Sequence, residues 1–348
     1  MIYVVLVNWK RYDDTIECLE SLVGISEPAC RVIVVDNQTT TDGVQRLRDW
    51  SEGRLQADKS GPPWSRFASP QPAARPDMQT LSVSEDFRAS GAPFLTVIAN
   101  ADNSGFAGGC NIGMKAALSD PDCGFIWLLN NDTVVDPMSL AYLEKMARTD
   151  PSIGICGSTL VYYDTPDVIQ TLGGRFNRYM GRISNVGEGE PRSRLREVLA
   201  ESPVDYMCAA SILVSRAFIE KIGLLSEDYF LYFEELDWEA RNRGRFKTAW
   251  AEEAVIYHKE GRSIGTNSRG RPSDMTLYYY NVNFLRFIHK FAPLCLPIAL
   301  AKVVAVAAAF RLKGDAAGGR SVRLALGDFL TGKTRRGSIS AALSTAQS

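Results

Sequence analysis

Short apolar runs rich in valine, isoleucine and leucine alternate with helically spaced segments through the first half of this chain. Val4–Val7, Val32–Val35, Leu95–Ala99 and Phe125–Leu129 have the unbroken apolar character of strands buried on both faces. Between the first two, the stretch from Thr15 to Leu22 sets Ile16, Leu19, Leu22 and the adjoining Val23 on one helical face. Strands joined by crossover helices predict an α/β fold with a mostly parallel central sheet flanked by helices. After the fourth run, Asp136 and Pro137 suit the N-cap and first position of a helix. The alternation stops between Ile153 and Gly189, where a strand-like run at Thr159–Tyr163 is followed by many glycines. Ser215–Gly223 and Glu234–Arg243 read as short helices closed by Gly223 and Gly244, and Val255–Tyr257 as a last short strand. Tyr278–Phe291 reads as a helix whose aromatics pack a core, and no repeat of fixed period is present.

Two segments depart from this pattern. From about Ser51 to Pro93 the composition shifts to proline, serine, arginine and glycine, which predicts a long and partly disordered surface insertion. Phe291–Phe310 is almost wholly apolar and just long enough to reach across a bilayer, although Pro293, Pro297 and Lys302 interrupt it. Arg311, Lys313, Arg320, Arg323, Lys333, Arg335 and Arg336 follow. An alanine-rich apolar helix with a basic tail suits a helix lying on an anionic membrane surface better than a span or a core helix. The division expected is a main domain over 1–265, with the insertion at 51–93, and a C-terminal helical region over 266–348. The opening Ile2–Val7 lacks a basic leader and a cleavage site, so it is read as the first strand rather than a signal peptide.

Composition narrows the function. With 348 residues, a formal net charge of -1 and 23% charged residues, the chain has no polybasic footprint and nucleic acid is not an expected partner. Seven scattered cysteines with no C-x-x-C pair, beside only two histidines, read as buried thiols of a reducing compartment rather than a zinc site.

In a doubly wound sheet, ligands sit beyond the carboxyl ends of the strands. Here the ends are polar together: Asn8, Asp36-Asn37, Asn100 to Gly105, and Asn130-Asn131-Asp132. Asn103-Ser104-Gly105-Phe106-Ala107-Gly108-Gly109-Cys110-Asn111 combines small residues with a helix start that a phosphate could approach, although it matches neither a dinucleotide fingerprint nor a P-loop. Asn130 and Asp132 offer hard oxygen ligands for Mg²⁺ or Mn²⁺ shared with a diphosphate, and His258 is the other candidate ligand. The densest acidic cluster, Glu234-Glu235-Leu236-Asp237, interrupts the aromatic stretch Tyr229-Phe230-Leu231-Tyr232-Phe233. An acidic first turn complements a helix dipole without any function, yet carboxylates in a partly buried aromatic setting can act as a general base toward a hydroxyl.

Six motifs in order resemble the family 2 glycosyltransferases of the GT-A fold, and especially their bacterial rhamnosyltransferase-like branch. They are Val7-Asn8-Trp9, Val34-Val35-Asp36-Asn37, the glycine-rich Asn103–Asn111 segment, Leu128-Leu129-Asn130-Asn131-Asp132-Thr133, Asp228–Trp238 and His258. The resemblance implies that Asp36 recognises the donor's base, with Asn8, Asn37, Asn103, Gly105, Asn111, Asn130 and Asn131 also on the donor side. It implies that Asn130 and Asp132 stand at the family's D-x-D positions, that Asp132 and His258 bind metal with Asn130 as a further candidate, and that Glu235 is the catalytic carboxylate, with Glu234 and Asp237 as alternates. Asn130 stands where the family has an aspartate, and Glu235 where an aspartate is more usual. The function expected is inverting transfer of a sugar, with L-rhamnose from dTDP-rhamnose as the first candidate. The acceptor would be a glycan or a polyprenyl-diphosphate-linked intermediate of O-antigen, capsule or exopolysaccharide assembly, at the cytoplasmic face of the membrane. The competing classes are a sugar-phosphate nucleotidyltransferase and a non-catalytic nucleotide-sugar-binding assembly partner.

Overall fold

The computed structural model describes residues 1–25, 27–66, 75–85, 87, 92–177, 179, 182–259, 272–337 and 339. In chain order the first elements are β1 (Ile2–Asn8), α1 (Tyr12–Val23), β2 (Cys30–Asn37), α2 (Thr41–Ser51), β3 (Met78–Ser82), β4 (Leu95–Asn100), α3 (Gly105–Leu118) and β5 (Phe125–Asn130). Then come β6 (Thr133–Val135), α4 (Ser139–Ala147), β7 (Ile153–Tyr162), β8 (Ile169–Thr171), β9 (Gly174–Asn177), β10 (Arg182–Asn185), α5 (Leu195–Glu201), β11 (Ser211–Ser215), α6 (Arg216–Ile222), α7 (Glu234–Asn242) and β12 (Lys247–His258). A helical group follows: α8 (Asp274–Phe291), α9 (Leu296–Leu312) and α10 (Ala316–Leu330).

The main sheet runs β3-β4-β2-β1-β5-β11-β7-β12-β6, with β8 on β7. From β3 to β5 every pairing is parallel, and β11 enters antiparallel to both β5 and β7. The alternation of β1 shows why the strands are apolar throughout. Ile2, Val4 and Leu6 face one core with Leu19, Leu22, Trp50 and Leu143, while Tyr3 and Val5 face the other with Cys110, Met114 and Phe218. On the second face α3 lies unusually close: a β-carbon at Gly109 would sit 2.7 Å from a methyl of Val7, and one at Gly113 would collide with Val5. These glycines of the glycine-rich segment therefore serve helix-to-sheet packing.

The predicted strands and helices are present, mostly longer than expected. The helix expected from Asp136 begins instead at Ser139, because the Asp136 carboxylate accepts the Met138 amide in a turn that keeps Pro137 outside it. The stretch at 51–93 is not simply an insertion on the surface. Its Met78–Ser82 pairs in parallel with β4 as the edge of the sheet, and Trp64 is buried. Expected disorder at 67–74 and 88–91 lies outside the described residues. The seven cysteines are free; Cys18, Cys110, Cys123 and Cys156 are buried and the other three half-buried.

Two buried carboxylates of α1 hold this stretch down. Glu20 accepts the Trp50 indole at 2.8 Å and pairs with Lys59 at 2.7 Å and Arg75 at 3.0 Å. Glu17 accepts the Trp64 indole at 2.7 Å and the Tyr163 hydroxyl at 2.6 Å, and it pairs with Lys259, whose ammonium also reaches Asp14 at 2.6 Å. Removing one partner from such a buried set strands the rest without compensation. Glu17→Ala should therefore cost about 3 kcal/mol in urea unfolding; a loss no larger than that of a surface substitution would show that the network is not what anchors Trp64 and Lys259.

α8, α9 and α10 do not stand apart. Phe284, Phe287, Ile288, Val303 and Val322 share one buried cluster with Tyr206, which precedes β11, and with Tyr229, Phe233 and Leu236 from the region of α7. The aromatics of α8 are thus core, as the sequence pattern indicated, and they back the element that carries the acidic cluster.

Candidate active site

Strands β4, β2, β1 and β5 lie side by side, so Asn100, Asp36-Asn37, Asn8 and Asn130 share one edge of the sheet. The chain adds strands outward from β1 through β2 and then returns to its other side at β5, which leaves a crevice at the switch between β1 and β5. Asn8 is fully buried there. Its amide donates to Asp36 at 2.6 Å, and its oxygen accepts from the Arg11 amide, the Thr15 hydroxyl at 3.0 Å and the Asn131 amide at 3.2 Å. Asp36 also accepts the Tyr12 hydroxyl at 3.0 Å. Burial raises the Asp36 pKa above the usual carboxylate value, against the lowering effect of these donors. Asn37 donates to the Gly105 carbonyl at 2.9 Å and accepts from Asn100 and Ser104, joining the second strand end to the start of α3.

Above this floor lies a cavity of about 160 Å³, walled by Trp9, Asn37, Asn103, Gly105, Phe106, Phe230 and Leu231, with Asn130, Asn131 and Asp132 at one end. Met275 of α8 and Gly337 beyond α10 complete the wall, and the Tyr279 hydroxyl holds the Gly337 carbonyl at 2.9 Å. Gly105 has φ +75°, and a side chain there would collide with the Phe230 carbonyl, which accepts the Phe106 amide at 3.0 Å.

His258 closes β12 beside the turn after β5. Its Nε2 lies 3.2 Å from Asp132 Oδ1 and 3.3 Å from the Asn130 amide, and its Nδ1 lies 2.7 Å from Gln170 Oε1. An amide oxygen only accepts, so Nδ1 donates to Gln170; the imidazolium then also donates from Nε2 to Asp132, whereas the neutral imidazole turns its Nε2 lone pair toward that carboxylate. Burial pushes the Asp132 pKa up, but the charge and hydrogen bond of the imidazolium form of His258, with Lys259, outweigh it and hold the carboxyl below its ordinary value. A nitrogen lone pair and an ionised oxygen facing one another call for a shared cation, so the pair fits a divalent metal. Among the described residues no group of three or more His, Cys, Asp or Glu forms a complete metal cage. Two protein ligands with the remainder from phosphate and water suit Mg²⁺ or Mn²⁺.

Past Asn130, Phe106 and Leu231 opens a second cavity of about 370 Å³, lined by Tyr206, Tyr232, Tyr280, Gln170, Glu234, Glu235 and His258 among others. The two carboxylates enter it from the first turn of α7, which is set by two successive residues in left-handed backbone, Tyr232 at φ 69° and Phe233 at φ 75°. Neither is glycine, so this turn stores strain that the aromatic packing of Phe233 against Phe176, Tyr280 and Phe287 must hold. Glu234 is 3% exposed and its Oε2 has no hydrogen-bond partner. Burial, then the charge of Glu235, raises its pKa well above the ordinary value, and burial also raises that of Glu235. Asp237 does not reach the cavity: it is fully buried and paired with Arg241 at 2.5 Å and Lys290 at 2.6 Å.

The sequence candidates therefore separate by position. Asn37, Asn103, Gly105, Asn130, Asn131 and Asp132 line the first cavity, while Asn130, Glu234, Glu235 and His258 line the second. Asn8 and Asp36 lie beneath the first, and Asn111 binds Leu225 and Glu227, bracing the loop that leads to α7. Sequence reasoning missed Gln170, Trp9 as a cavity wall, and Lys259. Gln170 lies in a glycine-rich run without a motif, whereas Lys259 directly follows His258 and Trp9 directly follows Asn8.

With that geometry in hand, residues 78–222 match Glycosyl transferase family 2. The match spans β3 to α6 and contains the Asn103–Asn111 and Asn130–Thr133 segments. It is 24% identical over 241 residues to the low-salt glycan biosynthesis hexosyltransferase Agl10 of Haloferax volcanii, covering 69% of this chain; the chain spans 61% of that relative's length. Among solved structures, GalNAc-T7 with UDP, GalNAc and Mn²⁺ superposes with TM-score 0.54 at 13% identity over 83% of this chain and 47% of its own. TarS of S. aureus superposes with TM-score 0.50 at 12% identity, over 95% and 48%. The fold is GT-A, as the motifs implied.

Two measurements probe the electrostatics. A raised folded-state carboxyl pKa adds stability below the unfolded value, and that stability is lost as pH rises through the folded value. Glu234→Gln should therefore raise Tm at pH 8, with the gain shrinking toward pH 5; an equal or lower Tm at pH 8 contradicts a buried, proton-retaining Glu234. Gln170→Leu should weaken Mn²⁺ binding by about 10–100-fold in calorimetry, while Gln170→Glu, which keeps an acceptor at Nδ1, should restore much of it.

Proposed function

We propose that this chain is an inverting, metal-dependent glycosyltransferase that moves a sugar from a nucleotide diphosphate donor to a hydroxyl of a glycan or lipid-linked acceptor. The observation that carries this reading is the meeting of the two cavities at Asn130, with Asp132 and His258 at the junction and Glu234 and Glu235 in the second cavity. The first cavity suits the nucleotide, bounded by Trp9 and Phe106 and by the amides of Asn37, Asn103 and Asn131, with Asn8, Asp36 and Asn111 supporting them from behind. The second, with Tyr206, Tyr232 and Tyr280 on its walls, suits acceptor sugar rings, which pack their apolar faces on aromatic surfaces.

Glu235 takes the proton of the acceptor hydroxyl. That oxygen forms a bond to the anomeric carbon as the bond from that carbon to the diphosphate oxygen breaks on the opposite face, so the configuration inverts. Asp132 and His258, with Asn130 alongside, would hold Mg²⁺ or Mn²⁺, which when bound neutralises charge on the leaving diphosphate. Gln170 keeps the His258 imidazole in the tautomer that presents Nε2. Glu234, held neutral, keeps a second negative charge away from Glu235 and can donate a hydrogen bond to the acceptor. The base needs a pKa near the working pH, and burial raises that of Glu235 in the right direction.

For the donor, the resemblance of the motifs favours dTDP-rhamnose, and the likeness to a hexosyltransferase makes a nucleotide-linked hexose the second candidate. Cell-surface polysaccharide assembly on the cytoplasmic side of the membrane is the setting proposed.

A panel of nucleotide sugars, nucleoside diphosphates and nucleoside triphosphates, each with Mn²⁺, Mg²⁺ or chelator, tests the class by thermal shift without any acceptor. One nucleotide sugar should stabilise the fold by about 2.7 kcal/mol at a hundred times its Kd, and only with metal. Stabilisation by triphosphates alone would favour a nucleotidyltransferase instead. Glu235→Gln should leave that shift intact and lower turnover about 10²–10⁴-fold, whereas Asp132→Ala should abolish the metal dependence of the shift.

A further inference from the structure

α9 is strongly apolar and only partly covered by the rest of the described chain. Pro293–Leu312 is apolar enough to cross a membrane, yet only 17% of its most apolar window is buried in the protein. The buried positions Ala299, Val303 and Ala307 form one i,i+4 stripe toward α8 and α10. On the opposite side Leu294, Ile298, Ala301, Ala305, Ala308 and Leu312 repeat at spacings of three and four along the whole length, and all are exposed, Leu294 at 94% and Leu312 at 89%. No polar side chain interrupts that stripe. Contiguous apolar surface of this kind marks a contact with something else.

Charge identifies the occupant. Between residues 291 and 336 the chain carries eight lysines and arginines against two aspartates. Asp328 is buried under Tyr278 and Arg335, and Asp315 caps α10 through the Gly318 amide, so neither faces outward as a free acid. Arg311 and Lys313, at the end of the stripe, are exposed, as are Arg323, Lys333 and Arg336. We propose that α9 lies in the plane of an anionic lipid leaflet, its exposed stripe buried among the acyl chains and its basic flank among the headgroups. The packing also decides against a span. Crossing would detach Ala299, Val303 and Ala307 from their buried cluster and carry Lys302, whose ammonium lies 4.9 Å from the Phe284 ring centre, to the bilayer midplane. This surface is independent of the transferase reading and of either cavity.

The full chain should co-sediment with vesicles of phosphatidylglycerol and phosphatidylethanolamine, and only weakly with phosphatidylcholine alone. An Ile298→Glu variant that also carries Val304→Glu, at a side chain 52% exposed beside the stripe, should lower the partition coefficient at least tenfold with Tm and oligomeric state unchanged. Arg311→Glu with Lys313→Glu should lower it on anionic vesicles by about fivefold or more for each charge, and this pair keeps the proposal testable if the first variant folds poorly. In cells the chain should leave the membrane fraction in alkaline carbonate. Failure of the unmodified chain to bind anionic vesicles overturns the proposal. So does resistance to carbonate, which would mean a span, and so does conversion of a dimer to a monomer by the Ile298 and Val304 changes with vesicle binding intact, which would mean a second copy on the stripe.

Discussion

The constraint on which the site depends is the satisfaction of Asn8. It ends the central strand β1 at the switch of the sheet, has no access to water, and must therefore find protein partners for its side-chain amide and oxygen. It does so by reaching β2 through Asp36, α1 through Thr15 and the Arg11 amide, and the turn after β5 through Asn131. Three otherwise separate elements are thereby held in one register at the floor of the crevice. The polar strand ends that line the cavity can be precise because the layer beneath them is fully bonded.

From that floor the structure builds outward by coupling polar positions to apolar support. His258 and Lys259 leave the same strand end: one faces Asp132 and Gln170, and the other is buried among Asp14, Glu17 and the Tyr163 ring. The strained turn before α7 aims two carboxylates into the second cavity, and its strain is held by aromatics contributed from α8 and from the β9–β10 hairpin. The C-terminal helices are therefore part of the site's construction, and α9 is left with its outer face uncovered because its inner face completes that support.

Much of this was legible in the residues. The four polar strand ends, the acidic cluster within aromatic residues, and His258 after a short strand pointed to one region, and in the structure they gather around two adjoining cavities, because strand alternation and chain order place strand ends on one rim. Position within the rim was not legible. Asn8, Asp36 and Asn111 read like ligand contacts, and only the structure shows the hydrogen bonds that each makes to its neighbours in space. Asp237 could not be told from Glu235 until Arg241 and Lys290 were seen to enclose it. The low-complexity look of 51–93 hid β3 and the anchor Trp64, since an edge strand half-covered on its faces needs no strong apolar run.

By itself the sequence determined the α/β class, the order of the parallel strands' apolar cores and the rim where polar chemistry gathers, since these follow from local periodicity and the short reach of connections. Only tertiary structure decided which carboxylates line the second cavity, which ring nitrogen of His258 meets Gln170 and which meets Asp132, and which stripe of α9 stays uncovered. Those outcomes depend on contacts between residues far apart in the chain, such as the 88 positions that separate Gln170 from His258, and no local pattern encodes which of several similar polar groups will be the one left without a partner.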